Sequence, residues 1–177
     1  VAIFYFVIPL LIIRFVWKDK ASDFGLKFEI ESGFWKLLAA CTAVTLPLVY
    51  LMSLTSGFAA KYPFLRIYNG EPFIGQSLIV WELIYFVQFF GLEFFFRGFL
   101  LHGTRRRFGA YSIFVMMVPY CMIHFGKPPL ETLGAIAAGI VLGFMSLKTR
   151  SIWLGAALHI FVAWTMDTAA LWRLGRL

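Results

Sequence analysis

Six apolar runs divide this chain of 177 residues, and most are close to the ~20 residues that cross a hydrocarbon core about 30 Å thick. They are Val1–Trp17, Phe34–Leu54, Phe73–Leu101, Ala110–Phe125, Leu133–Leu147 and Ile152–Leu171. The third is long enough to tilt or to begin at the membrane interface. Composition agrees: 61% of residues are hydrophobic, with 21 Phe and 6 Trp, and only 14% are charged. A soluble domain of this size lacks the interior to hide so many apolar side chains. The expected fold is all-α, a polytopic membrane helix bundle of about six transmembrane helices. It forms a single integral membrane domain over residues 1–177. The chain opens on Val1, already inside an apolar run, so a preceding segment is expected.

The connections near 18–33 and 55–72 hold most of the Asp, Glu, Gly and Pro. "KDKASDFGLKFEIESGFW" alternates apolar residues with charges and reads as a polar loop with an interfacial segment. The net charge of +7 belongs mostly to loop Lys and Arg, so nucleic acid is not an expected partner. Arg14, Lys18, Lys20, Lys27 and Lys36 flank the first loop. Arg105, Arg106 and Arg107 follow the third run, and Lys148 and Arg150 follow the fifth. With six spans these three groups share a side, which the positive-inside rule makes cytoplasmic. The expected location is a bacterial inner membrane. Lys61, Arg66 and Lys127 fall on the other side, and Arg173 and Arg176 at the C-terminus run against the pattern. Cys41 and Cys121 lie in apolar runs without disulfide or zinc-knuckle spacing and read as small hydrophobes.

Ionisable residues within or near the spans carry the information. An Asp, Lys or Arg at a helix centre costs roughly 2.5–3.5 kcal/mol on insertion scales. This chain keeps Glu82, Glu93, Arg97, His102, His124, His159 and Asp167 there. Glu93 and Arg97 are spaced i, i+4, so they share a helix face and can neutralise each other. Such a pair reads as a structural lock or as part of a site. Two His and a Glu on three runs are the residue types that activate a water, stabilise an oxyanion or bind a metal. No HExxH and no GxSxG is present. No cofactor is called for, although the residue types of Glu93, His124 and His159 do not exclude zinc. Glu82 lies ~16 Å along the helix from Glu93 and reads as structural or interfacial. His102, beside Arg105–Arg107, reads as interfacial. Asp167 lies about two turns after His159 and faces a loosely similar direction.

"LEFFFRGFLLHG", then "YCMIH", then "KPPLETLGAIAAGIVLGFMSLKTRSIWLGAALH" resembles the CAAX protease and bacteriocin-processing family, the glutamic-type intramembrane proteases. The likeness covers about Leu92 to Asp167, and the motif-bearing core spans about 73–171. The resemblance implies that Glu93 matches the second Glu of a Glu-Glu-xxx-Arg motif and Arg97 its Arg. Tyr120 and His124 match an aromatic-to-His motif, and His159 the second His. It also implies that a Glu and the first His activate water and that the second His, with an Asn, holds the oxyanion. Two positions depart: Leu92 stands where the family has its first Glu, and Ala163 where it has Asn. Thr165 or Asp167 is then expected to stand in for the Asn. Glu131 in "KPPLE" can cap the fifth helical run at its N-terminus or line the mouth of the site.

The expected catalytic set is therefore Glu93, Arg97, His124 and His159, supported by Tyr120, Glu131 and Asp167. The implied activity is cleavage of a peptide bond near the membrane surface in a membrane-anchored protein or peptide, by trimming of a C-terminal tail or a leader. The rivals are a catalytically inactive scaffold or immunity protein, for which Leu92 and Ala163 speak, and a proton-coupled transporter. One point of depth is uneasy. Glu93 and His159 lie ~10–12 Å from the basic ends of their helices, while His124 closes its run at the far end. A kink at Pro119 is the expected remedy. Nothing in the sequence indicates the oligomeric state.

Overall fold

The computed structural model describes residues 2–27, 32–64 and 76–176. The starts of the third run (Phe73–Gly75) and of the chain (Val1), the interfacial segment at 28–31, and Arg66 lie outside these residues. The described elements are all helical, in the order α1 (Ile3–Val16, π-helical over Ile3–Val7 and Ile12–Val16), a 3₁₀ helix (Ala21–Phe24), α2 (Phe34–Ser53), α3 (Ser56–Lys61), α4 (Gln76–Glu93), a π-helical segment (Phe94–Leu100), α5 (Leu101–Phe108), α6 (Ser112–Met122), α7 (Pro129–Thr149) and α8 (Trp153–Arg173).

Among the described residues, four stretches are long and apolar enough to cross a membrane, not about six: Phe34–Ser53, Gln76–Met122, Pro129–Thr149 and Trp153–Arg173. Two features of the sequence misled the count. The first apolar run forms only the shorter helix Ile3–Val16, below the ~20 residues that a bilayer core needs. The third and fourth runs fall into one helical stretch of 47 residues. The sidedness inferred from counting six spans loses its basis with that count. The integral membrane character stands: large apolar side chains such as Phe4, Val44, Leu48, Ile79, Leu83 and Phe144 are exposed on the outside of the bundle, where lipid is the solvent.

The 47-residue stretch is not straight. At Gly109 the backbone adopts φ 55°, ψ −130°, a conformation open to glycine and costly for a residue with a Cβ. A single 3₁₀ turn, Gly109–Tyr111, follows. Beyond it α6 packs back on the helix it came from, burying Ile113, Met116 and Tyr120 with Leu92, Phe96 and Leu101. This fold-back brings Tyr120 to the level of Arg97.

The bundle has a centre and a periphery. Half of the apolar window of α8 is buried, against 6% for α2, so α8 is the helix around which the site can be built. The ends differ in charge. Arg106 reaches Asp19 at 2.7 Å, the Ile152 amide donates to the Gly25 carbonyl at 3.2 Å, and the Trp153 indole donates to the Lys27 carbonyl. These contacts gather the three Lys/Arg-rich loops at one end. At the other end the segment after α3 is tied down: Tyr62 bonds Glu131 at the start of α7, and the Phe64 amide donates to Asp167 Oδ1 on α8 at 3.1 Å.

Candidate active site

Glu93 is the last residue of α4 and is fully buried. Arg97 follows four residues later inside the π-helical segment and is 1% exposed. Its Nη1 donates to Glu93 Oε1 at 2.8 Å. The described residues hold two other π-helical segments, Ile3–Val7 and Ile12–Val16 in α1, and this one carries the charged residue Arg97. His159, on α8, approaches the same carboxylate oxygen, with Nδ1 2.9 Å from Glu93 Oε1. An ionised carboxylate can only accept, so Nδ1 carries the proton and Nε2 keeps its lone pair.

Glu93 Oε2 is buried without a hydrogen-bond partner among the described residues, and so are Arg97 Nε and Nη2. Buried polar groups are ordinarily satisfied. Here an acceptor and two donors are left over on two side chains that are bonded to each other. Space is kept for that acceptor by Gly155, one turn before His159. A Cβ there would collide with Glu93 Oε2 and lie 3.2 Å from its Cδ. Gly155 was missed in the sequence, although its position four residues before His159 on one helix face was visible there.

Tyr120 organises the other wall. The Arg97 guanidinium stacks over its ring at 3.8 Å, a cation–π contact in a setting with little water to weaken it. The Tyr120 ring centroid is 4.8 Å from that of His124 and 6.3 Å from that of His159. Tyr120 thus packs near both imidazoles, and His124 makes no hydrogen bond to Glu93. Its Nδ1 lies 2.9 Å from the Tyr120 carbonyl, which fixes the proton on Nδ1 and leaves Nε2 as an acceptor. Burial, helped by nearby Lys127, pushes the His124 pKa down to about 4. At neutral pH it is an uncharged proton acceptor. His124 sits just past the end of α6 at Met122, at the level of the Tyr62–Glu131 junction.

The remaining candidates lie elsewhere. Glu131 accepts from Tyr62 Oη at 3.0 and 2.8 Å and from Lys127 Nζ at 2.7 Å. It is a junction at the start of α7 where the helix dipole also favours a carboxylate. Burial and that carboxylate hold the Tyr62 phenol well above its usual pKa. Asp167 is committed through Oδ1 to the Phe64 amide. Thr165 turns its hydroxyl back on the Phe161 carbonyl at 2.8 Å. Neither occupies the place of a residue beside Ala163, which is packed with Tyr85 and Phe89. Leu92 is likewise in an apolar cluster, with Phe96 and Tyr120. Glu82 is buried on α4, its Oε2 without a partner among the described residues. His102, read as interfacial, is buried at 6% exposure and lies 3.1 Å from Ser146 Oγ. Among the described residues no three of His, Cys, Asp and Glu converge closely enough to hold a metal ion.

A family model described as Type II CAAX prenyl endopeptidase Rce1-like matches residues 74–165, just over half of the chain. The chain belongs to the Rce1-like CAAX protease family. The matched segment holds Glu93, Arg97, Tyr120, His124, Glu131, Gly155 and His159, and it stops short of Asp167. No curated protein and no solved structure matches the chain.

Proposed function

We propose that the protein is an intramembrane endopeptidase that hydrolyses a peptide bond in a membrane-associated protein or peptide, near the surface of the bilayer. The observation that supports this most is the buried carboxylate of Glu93. Its Oε1 is shared by Arg97 and His159 while its Oε2 is unpartnered. In this reading the substrate carbonyl enters beside Glu93 and a water is held by Oε2. The water oxygen attacks the carbonyl carbon as its proton passes to Glu93. The tetrahedral oxyanion is met by donors already in place, Arg97 Nε and Nη2, while the His159 Nδ1–H holds Glu93 in position through Oε1. Preorganised donors of this kind supply the largest share of many rate enhancements. The C–N bond then breaks, the proton moves to the leaving amine, and a carboxylic acid and an amine depart. His124, neutral with Nε2 free, accepts a hydrogen bond from the water or from the substrate backbone. The basic end of the bundle faces the cytoplasm in this reading, by the excess of Lys and Arg there.

A second reading is a binding scaffold without hydrolysis. It is favoured by Leu92 and Ala163, which place apolar side chains where the resemblance implies a Glu and an Asn.

The test is co-expression with a library of membrane-anchored peptide tails, comparing wild type with Glu93→Gln, His159→Ala and His124→Ala at equal expression. Cleavage by wild type that falls about 10³-fold in Glu93→Gln is the expected result, within the range for loss of a general base. Tails that bind but are never cut would select the scaffold.

A further inference from the structure

We propose that His102 and Ser146 are positioning residues for Arg97, joined in a chain of ordered protons that holds the Arg97 peptide and, through it, aims the guanidinium at Glu93. Its effect on cleavage rests on the endopeptidase reading; its effect on the guanidinium does not.

Ser146, on α7, donates its hydroxyl proton to the Arg97 carbonyl at 2.9 Å. The same oxygen lies 3.1 Å from His102 Nε2. A hydroxyl has one proton, and a carbonyl can only accept. With that proton committed to Arg97, Ser146 faces His102 as an acceptor, and His102 must carry its own proton on Nε2. The order is His102 Nε2–H to Ser146 Oγ–H to the Arg97 carbonyl, with no freedom of direction.

The three groups are 6%, 3% and 1% exposed. A buried hydroxyl and imidazole gain little net stability over apolar side chains of the same shape, since desolvation offsets most of the bond. What they do supply is geometry. Arg97 lies within the π-helical segment, whose hydrogen-bond pattern departs from that of the flanking α-helices. A side chain from α7 gripping its carbonyl fixes how far that turn is rotated about its axis. The guanidinium is carried by the same residue, and it reaches Glu93 one turn back and the Tyr120 ring on α6. His102, on α5 beyond the π segment, closes the grip across the junction. Removing either link frees the turn to rotate, and small displacements of an oriented group are expensive in rate.

The experiment uses the full chain in lipid nanodiscs with ¹⁵N-labelled arginine. The Arg97 guanidinium signals are assigned by their loss in Arg97→Lys. Ser146→Ala and His102→Asn break the chain. His102→Gln keeps a donor near the Nε2 position and serves as the conservative control. All variants are checked for unchanged helicity and melting. The expected result is that Ser146→Ala and His102→Asn merge the two resolved Nη signals of Arg97, while His102→Gln leaves them resolved. On a peptide that wild type cuts, the first two lower kcat by about tenfold with KM within about twofold, the pattern of a lost transition-state interaction, and His102→Gln retains most of the rate. Should Ser146→Ala fail to fold, the His102→Asn and His102→Gln pair decides alone. Unchanged Nη signals in the folded chain-breaking variants overturn the proposal, as does a His102→Gln that behaves like His102→Asn. If wild type cuts no peptide, the endopeptidase reading falls, and the guanidinium signals still decide the role of His102 and Ser146.

Discussion

Glu93 and Arg97 are four residues apart and meet at 2.8 Å; Lys127 and Glu131 are four residues apart and meet at 2.7 Å. The sequence spacing and the bond lengths are alike, and the surroundings are not. The first pair is 0% and 1% exposed, the second 13% for Glu131 and 20% for Lys127. Glu131 has both oxygens engaged, by Lys127 and by Tyr62. Glu93 has one oxygen doubly engaged and the other without a partner among the described residues. A saturated carboxylate at the rim is a latch that ties the segment after α3 to α7. An unsaturated one in the core keeps an acceptor that the described residues leave unused. Bond length distinguishes nothing here; burial and the atoms left over do.

The largest difference is expected from cutting each pair at its cation. Arg97→Met leaves a carboxylate buried with His159 as its remaining partner, and breaking a buried pair costs about 3–5 kcal/mol. Adding Glu93→Gln to that variant should recover much of the loss, because the uncompensated charge goes with it. Lys127→Met should cost at most about 1 kcal/mol, since water and Tyr62 remain for Glu131. Unfolding of the reconstituted protein by heat or by SDS reads both. Equal losses would mean that the two pairs are the same kind of object after all.

Much of the Glu93 site was legible because its information is local. The i, i+4 spacing of Glu93 and Arg97 implies a shared face, and the cost of charge in lipid flags both residues along with His159. What was not legible is what depends on partners distant in the chain. His102 stands beside three arginines in sequence, which suggests an interface, yet its partner is Ser146, 44 residues away. Asp167 shares a helix with His159, which suggests a shared site, yet it is claimed by the Phe64 amide, 103 residues away. The count of spans failed for a related reason. Hydropathy reports two apolar runs, 73–101 and 110–125, with Arg105–Arg107 between them, but not that the helix continues through the basic stretch to Met122, with the fold-back at Gly109 inside it.

A proton sharpens the same contrast, because the two imidazoles near Tyr120 differ in what they touch. His159 is bonded to Glu93, whereas His124 is buried beside Lys127 with no carboxylate among the described residues bonded to it. Folded His124 takes up its proton only near pH 4, against about 6.5 for an ordinary imidazole. As pH falls below 6.5 the unfolded chain binds a proton that the folded chain refuses. Stability from this group is therefore intact above pH 6.5, drains away as pH falls toward 4, and levels off below. The loss is about 3 kcal/mol at most. Melting curves across that range should show the slope in wild type and a shallower one in His124→Asn, which keeps a donor for the Tyr120 carbonyl but does not titrate. An unchanged slope in the variant would place the pH response elsewhere.

The finest test adds one methyl group to each region. Gly134 and Gly155 both lie inside helices, α7 and α8, where replacing Gly by Ala is worth up to about 1 kcal/mol of helix propensity. Gly134 is three residues past Glu131, and a Cβ there meets nothing within 4 Å. Gly134→Ala should therefore stabilise by up to that amount. At Gly155 the same atom collides with Glu93 Oε2, and the carboxylate cannot swing aside freely while Arg97 and His159 hold Oε1. Gly155→Ala should reverse the sign and destabilise by about 1–3 kcal/mol, the usual cost of overpacking. It should also remove cleavage, because the methyl occupies the space in front of the unpartnered oxygen. If Gly155→Ala stabilises as Gly134→Ala does, Glu93 is free to move. The core carboxylate would then be no more fixed than the one at the rim, and the difference between the two pairs would lie in burial alone.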